Sequence, residues 1–282
     1  VKGDQVIRVV PFENEELNEC WISDRDRFSY EGLNEDRLTS PMVKGSDGQW
    51  REASWSDALQ AVAQGLMQVR DALGAAQIGA LASEYATLEE MALLARVTRG
   101  LGSENIDFRL RQTDLAFDAA LTGVPWLGMN INALDTLDRV LVVGSFLRKD
   151  HPLMAQRLRQ AVKRGTQVSS VDTAGDDPLF KVTARATTLP SALADTLAQV
   201  AVALAKVKSS EAPAELAGAQ PSAAAEQIAA SLASGERVAV LLGSSAVNAP
   251  DASRIAAYAQ LIAQLAAGQL GFLTSGANTV GG

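Results

Sequence analysis

The sequence is poor in the side chains that bind metals and form disulfides. It has one cysteine, Cys20, and one histidine, His151, in 282 residues. A single cysteine excludes an internal disulfide, and a Cys/His metal site or an iron–sulfur cube needs about four such ligands. We therefore predict no metal site in this chain.

Long apolar runs and positive charge are scarce as well. The longest apolar stretch, 255–267, is interrupted by Tyr258, Gln260 and Gln264 and falls short of the roughly 20 residues that span a bilayer. The formal net charge of −8 repels phosphate backbones. We expect neither membrane insertion nor a nucleic-acid partner. The hydrophobic content of 47% is enough for a large buried core, which in a chain of this length often divides into two units.

The N-terminal residues have strand and loop character up to about residue 46. The chain starts without Met, and Gly3-Asp4 followed by residues 5–10 is typical of a hairpin turn that leads into its second strand. A domain seldom starts inside a hairpin. We therefore expect the chain to be a fragment of a longer protein.

Helical and strand patterns alternate after residue 46. A helix is predicted to begin near 54–57, with Ser56 as N-cap, and to end at Gly74. Its apolar side chains recur at helical spacing and predict a buried stripe of Leu59, Val62, Leu66, Val69 and Leu73. Strands are predicted at 78–81, 138–144, 167–171 and 237–243, helices at 87–101, 152–164, 191–207, 223–233 and 252–267, and a surface linker at 208–222. This alternation predicts an α/β fold with a parallel sheet covered on both faces.

Two strands end in turns of small residues, 144–146 and 243–246. Such turns lie where open α/β sheets bind ligands and phosphates. Neither has the three spaced glycines of a dinucleotide site or the Gly-Lys-Ser/Thr of a P-loop, so we favour a structural role.

His151 could act as a general base, but because it comes directly before Pro152 it is better explained as the residue that precedes a helix. Cys20 is predicted to be a partly buried thiol.

Three segments of the N-terminal third carry a resemblance to a known family. They are NECWISDRDRFSYEGL at 18–33, RLTSPMV at 37–43 and SWSDAL at 54–59. Together they resemble the large iron–sulfur subunit, known as the G subunit, of proton-pumping NADH:quinone oxidoreductase (complex I) and its mitochondrial counterpart. Looser matches at 138–145, 240–246 and 270–282 extend the likeness over essentially the whole chain.

The resemblance implies a fold and a domain division. That family shares the fold of the molybdopterin oxidoreductases, with two interleaved Rossmann-like parallel-sheet units after a small N-terminal β/loop segment. It implies that residues 1–46 are the C-terminal remnant of an iron–sulfur domain of the 4Fe-4S Mo/W type. Residues 47–105 with 236–282 would form the first α/β unit, and residues 106–235 the second.

The resemblance also implies a cofactor crevice near Arg111, Thr113 and Asp172. In catalytic relatives a Cys, selenocysteine or Ser holds the metal at about 111–114, where this chain has Thr113. Their pterin-contacting stretch carries an Arg after the Val-Asp of the next strand and later a Pro-Gly-Thr-Asp. This chain has Thr173-Ala174 after Asp172 and Leu-Pro-Ser-Ala at 189–192. These departures predict a vestigial crevice with no bound cofactor and no catalytic residue.

In the complete subunit, the resemblance implies 2Fe-2S and 4Fe-4S clusters upstream of this region that relay electrons from NADH to quinone. Its partners would be other subunits of the peripheral arm, on the cytoplasmic side of the bacterial inner membrane or the matrix side in mitochondria. We interpret this region as a non-catalytic scaffold within a respiratory-chain enzyme, inactive alone. The alternatives are a functional molybdopterin-dependent oxidoreductase domain and a stand-alone nucleotide-binding module, which need pterin contacts and phosphate-binding loops respectively.

Overall fold

A computed structural model of the protein describes residues 3, 5–111, 113–121 and 123–282. The chain divides into two compact units. The first contains the described residues of 1–10 with 24–110 and 276–282, and the second contains 11–23 and the described residues of 111–275. The turn predicted at Gly3-Asp4 involves Asp4, which lies outside the described residues, and residues 6–10 form no strand.

The first unit contains short strands and two longer helices. Strands β1 (Met42–Lys44) and β2 (Trp50–Glu52) are antiparallel, whereas β3 (Ala80–Leu81) and β4 (Ile106–Asp107) are parallel. The helices are α1 (Asp24–Phe28), α2 (Trp55–Leu73) and α3 (Leu88–Gly100).

Local signals explain where helices α2 and α3 begin. The Ser54 hydroxyl, not that of Ser56 as predicted, accepts the backbone N–H of Asp57 at 3.1 Å and caps α2. Gly74 ends α2, as predicted. Thr87 and Glu90 cap α3 reciprocally, each side chain accepting the backbone N–H of the other residue.

The apolar stripe of α2 is not buried, so that prediction was wrong. No residue of α2 is buried, and Leu59 and Leu73 keep 62% and 69% of their surface exposed. Helical periodicity identifies which side chains share a face. It does not identify the element that covers the face, and the described residues supply none that buries it.

A parallel sheet forms the centre of the second unit. Among the described residues its strands are in the order β7-β6-β5-β8-β9. Their bounds are β5 Arg139–Val143, β6 Gln167–Asp172, β7 Val182–Thr187, β8 Val238–Leu242 and β9 Gln269–Phe272. The helices of this unit are α4 Leu115–Ala120, α5 Leu147–Asp150, α6 Pro152–Lys163, α7 Leu193–Val207, α8 Ala223–Ala233, α9 Ser244–Val247 and α10 Ala252–Leu265.

Apolar side chains cover this sheet on both faces. Leu141 and Val143 of β5 pack in one buried cluster with side chains of α7, α8 and α10. Val140 and Val142, which alternate with them along the strand, pack in a second cluster with side chains of α6. The predicted α/β fold with a parallel sheet is confirmed.

The sheet joins segments that the predicted domain division separates. Strand β8 pairs with β5 in parallel, with Val140 opposite Ala239. Residues 236–275 therefore belong to the same unit as 139–187, whereas the prediction grouped 236–282 with 47–105. The predicted strand at 78–81 forms over Ala80–Leu81 and pairs with β4 in the first unit. Strand–helix alternation reveals the strands but not their neighbours, because strand pairing depends on contacts distant in sequence.

Candidate functional site

The chain reverses its direction of winding between β5 and β8. From β5 it proceeds through α6 to β6 and β7 on one side, and then crosses to β8 and β9 on the other. In open α/β sheets such a switch point, at the carboxyl ends of the strands, is the usual place for a ligand. The two small-residue turns of the sequence, at 144–146 and 243–246, follow the strands that flank it.

These two turns are in direct contact with each other. The N–H of Ser245 donates a hydrogen bond to the carbonyl oxygen of Gly144 at 2.9 Å. Gly144 has φ +59°, and a Cβ added there would lie 2.6 Å from the nitrogen of Ala246. A Cβ on Gly243 would overlap Ser145. The protein's own backbone thus occupies the space between the ends of β5 and β8, which supports the structural interpretation of both turns.

Asp172, at the end of β6, is buried with its carboxylate fully engaged. One oxygen accepts the N–H of Gly175 at 2.8 Å and the hydroxyl of Thr187 at 3.3 Å. The other accepts the hydroxyl of Ser170 at 3.0 Å and lies 3.5 Å from Nε of Arg185. The carboxylate therefore holds the turn after β6 against the neighbouring strand β7.

Arg185 on β7 places a cation beside Asp172, and the sequence analysis did not single it out. Its Nη2 donates to the carbonyl oxygen of Asp176 at 2.6 Å, and its Nε donates to the hydroxyl of Ser170 at 3.2 Å. With Asp172 beside it, its charge is neutralised within the protein. The sequence does mark this position, by a single Arg among small residues. That signal is weak unless the pairing of β7 with β6 is known.

The stretch around Arg111 and Thr113 leads into helix α4. Arg111 is exposed, Thr113 is half-buried and already has an interaction, and Gln112 between them lies outside the described residues. Asp114 is the N-cap of α4 and accepts the N–H of Ser253 at 3.0 Å. Hydrogen bonds from the Ser253 side chain and backbone hold the pKa of Asp114 below its usual value. The carboxylate of this stretch thus joins the beginnings of two helices.

His151 precedes helix α6, with Pro152 in the first turn, as the sequence predicts. Its Nε2 lies 2.8 Å from the carbonyl oxygen of Thr274, and since a carbonyl only accepts, Nε2 carries the proton. Nδ1 is buried, and it has no hydrogen-bond partner within the described part of the chain. His151 thus joins the start of α6 to the residues after β9, and its second nitrogen is withdrawn from solvent.

The described residues offer no group of three or more His, Cys, Asp or Glu side chains that could hold a metal ion. Cys20 is exposed rather than partly buried, which corrects that prediction. Among the helices that the structure describes, none combines the length and the apolar character needed to cross a membrane.

Comparison with known families identifies the chain. A family model described as molybdopterin oxidoreductase matches residues 37–282. The chain belongs to this family. A second model, the 4Fe-4S domain of NADH-ubiquinone oxidoreductase NDSU1/NuoG-like proteins, matches residues 1–31.

The curated relatives bear the names that the resemblance predicted. The NADH-quinone oxidoreductase G subunit of Rickettsia felis is 35% identical over 165 residues, which are 58% of this chain and 24% of the relative. The mitochondrial NADH dehydrogenase [ubiquinone] iron-sulfur protein 1 of Solanum tuberosum is 34% identical over 162 residues, 57% of this chain and 21% of the relative. The predicted resemblance is confirmed, and the chain spans about a quarter of the length of these relatives.

Solved structures agree on the fold. Acetylene hydratase from Pelobacter acetylenicus superposes with a TM-score of 0.62 over 87% of this chain and 37% of the hydratase, at 14% sequence identity. At that identity the likeness establishes the shared fold alone.

The side chains at the carboxyl edge do not fit a molybdopterin group. The position of the expected metal ligand holds Thr113, which is none of the three ligand residues that the resemblance implies there and which already has an interaction within the protein. After Asp172 this chain has Thr173 and Ala174 where the resemblance implies an Arg, and the nearby Arg185 is paired with Asp172. The turns at the switch point contact each other. No step of a pterin-dependent reaction can be derived from these residues.

Proposed function

We propose that this chain is a non-catalytic structural region of the large iron–sulfur subunit of an NADH:quinone oxidoreductase. The observation that carries the proposal is the carboxyl edge of the sheet, where Asp172 is paired with Arg185 and the turn after β5 is in contact with the turn after β8. A catalytic member of the family needs open, convergent groups at this edge. The identity to relatives named as subunits of that complex supports the placement there.

In the complete subunit, 2Fe-2S and 4Fe-4S clusters held by residues outside this chain would relay electrons from NADH to quinone. The match of residues 1–31 to a 4Fe-4S domain model supports residues 1–46 as the end of such a domain. This region would pack against the cluster domains and against other peripheral-arm subunits, at the cytoplasmic face of a bacterial membrane or in the mitochondrial matrix. The crevice near Arg111, Thr113 and Asp172 would be a remnant of the ancestral cofactor site.

Elemental analysis tests this proposal. Molybdenum, tungsten, iron and fluorescent oxidised pterin are measured on the purified 282-residue chain and on the full-length subunit, with a molybdenum enzyme of the same family treated in parallel. We expect iron in the full-length subunit only, and neither molybdenum, tungsten nor pterin in either sample. Near-stoichiometric molybdenum or tungsten with pterin would overturn the scaffold proposal and make Arg111 and Thr113 the residues to mutate. A full-length subunit without iron would overturn the electron-relay role.

A further inference from the structure

The second unit has an open cavity at the amino ends of its central strands, on the opposite edge of the sheet from Asp172. Its volume is about 380 Å³, which lies within the range of small-molecule sites. The lining residues include those directly before β5, β6 and β8, which are neighbours in the sheet. Because open α/β sheets usually bind ligands at the carboxyl ends of their strands, the fold alone does not predict a site here.

Two aspartates line the cavity, and both are already engaged by the protein. Each carboxylate oxygen of Asp138 accepts the two backbone N–H groups just before β8, at 3.1–3.2 Å. Asp135 has one oxygen 2.6 Å from Nη1 of the buried Arg157 and the other 3.3 Å from Nη2 of Arg164. A carboxylate offers about four acceptor sites, so Asp138 is fully used and each oxygen of Asp135 already accepts a guanidinium.

Two arginines line the same cavity, and their donors are largely unused. A guanidinium carries about five N–H donors. In the part of the chain that the structure describes, Arg164 donates through Nη2 alone. The guanidinium of Arg237 makes no hydrogen bond to any described residue, and its Nε lies 3.9 Å from a carboxylate oxygen of Asp138. The two side chains are 56% and 65% exposed. The free hydrogen-bonding capacity of the cavity is therefore that of positively charged donors.

The backbone around the cavity is fixed before any ligand arrives. The N–H of Asp138 donates to the carbonyl oxygen of Arg237 at 3.1 Å, and the hydroxyl of Thr166 donates to that of Leu137 at 2.7 Å. These bonds tie the segments before β5, β6 and β8 to one another. A site held in this way loses little conformational freedom when it binds a ligand.

We propose that this cavity binds a small molecule through an oxyanion group, a carboxylate or a phosphate, held by Arg164 and Arg237. The planar fork of a guanidinium matches both groups and binds them through paired hydrogen bonds. A cationic ligand would meet two engaged carboxylates, and an apolar ligand would leave the arginine donors without partners. The volume of the cavity favours a whole small molecule over one acidic side chain of a neighbouring protein.

The site is local, because the chain as a whole repels anions with its formal net charge of −8. Removing one of the two arginines should therefore remove most of the binding. The inference stands on the geometry of the second unit and does not depend on the proposed function.

Calorimetric titration of the full-length subunit tests the site. The probes are inorganic phosphate and citrate, each titrated at an ionic strength kept constant with sodium chloride. We expect at least one probe to bind, and Arg237→Gln and Arg164→Gln each to weaken that binding at least tenfold, because a charge-assisted hydrogen bond is lost. The control is Arg159→Gln, which removes an exposed cation of α6 outside the cavity and should change the affinity less than twofold.

The two probes distinguish the chemical classes of ligand. Binding of phosphate alone assigns the site to phosphate compounds, binding of citrate alone assigns it to carboxylates, and either result supports the proposal. Absence of binding by both probes would overturn it. An equal loss of affinity in Arg159→Gln and Arg237→Gln would also overturn it, because the effect would then be one of overall charge.

Arginine modification gives a second readout that needs no variant. Phenylglyoxal labelling of the assembled complex is followed by peptide mass spectrometry, with and without the probe that binds. We expect the probe to slow the labelling of Arg164 and Arg237 at least fivefold and that of Arg159 less than twofold. If Arg164 and Arg237 resist labelling in the complex without any probe but are labelled in the free subunit, a neighbouring subunit covers the cavity and the proposal is wrong. Neither experiment measures metal or pterin, so this proposal and the scaffold proposal can fail separately.

Discussion

Arg157 of helix α6 offers the sharpest stability prediction in the second unit. It is 3% exposed, and its Nη1 lies 2.6 Å from a carboxylate oxygen of Asp135 and 3.4 Å from one of Glu19. Its Nη2 donates to the carbonyl oxygens of Glu15 at 2.7 Å and Leu17 at 3.3 Å. One buried guanidinium thus attaches residues 15–19 to α6, and Arg157→Ala removes all of these contacts.

The size of the effect follows from what is left behind. Removing one partner of a buried ion pair costs about 3–5 kcal/mol, because the other charge stays buried and unpaired. Here Asp135 and Glu19 are each 28% exposed, and Asp135 keeps Arg164 at 3.3 Å, so water and that second cation recover part of the loss. We therefore expect a cost near the lower end, about 3 kcal/mol. Arg157→Lys keeps the charge but loses the planar fork, so its cost is expected to be smaller.

Urea unfolding of the 282-residue chain, followed by circular dichroism, measures this free energy. The control is Arg159→Ala, two residues along the same helix and exposed, for which we expect a change within about 0.5 kcal/mol. Limited proteolysis provides a second readout, since residues 15–19 are expected to be cleaved faster in Arg157→Ala. The reasoning is refuted if Arg157→Ala unfolds at the same urea concentration as Arg159→Ala.

Two further predictions concern the turn after β5 and the start of α4. Gly144→Ala combines a positive φ with close approach to the backbone of Ala246, so we expect a loss of about 2–4 kcal/mol in urea unfolding. Gly218→Ala, in open surroundings, should be nearly neutral, and equal effects would contradict the argument. The pKa of Asp114 is lowered by hydrogen bonds from Ser253, so its stabilisation is complete above about pH 4 and lost as the pH falls through the lower, folded-state pKa. Asp114→Asn should therefore lose less stability than wild type between about pH 5 and pH 2 in urea unfolding, and identical pH profiles would exclude this role.

Much of the local structure was predictable because its signals lie next to one another in the sequence. Helix α8, Ala223–Ala233, forms at the predicted bounds, with the hydroxyl of Ser222 as its cap. Pro152 marks the first turn of α6, and Gly74 ends α2, as predicted. Caps, prolines and glycines act through the backbone within a few residues, so one sequence is enough to interpret them.

The strands that were missed lack such signals. Strand β9 has only four residues, one of which is Gly271, where a Cβ would overlap the carbonyl of Leu127. Strand β7 is a short run of small residues around Arg185, paired only with β6 within the described residues. Both exist because a neighbouring strand offers hydrogen bonds, and that neighbour is distant in sequence.

The features of the candidate site also fall into those that the sequence predicts and those that depend on the tertiary structure. The sequence by itself determined the α/β class, the strand–helix alternation and, through its resemblance, the positions Arg111, Thr113 and Asp172. Only the tertiary structure decided that Asp172 is engaged by Arg185 and that the turns after β5 and β8 contact each other. It also decided that the apolar stripe of α2 stays exposed. A sequence pattern indicates the local structure in which a side chain lies. Which residue that side chain contacts depends on strand pairing and packing between segments far apart in the chain.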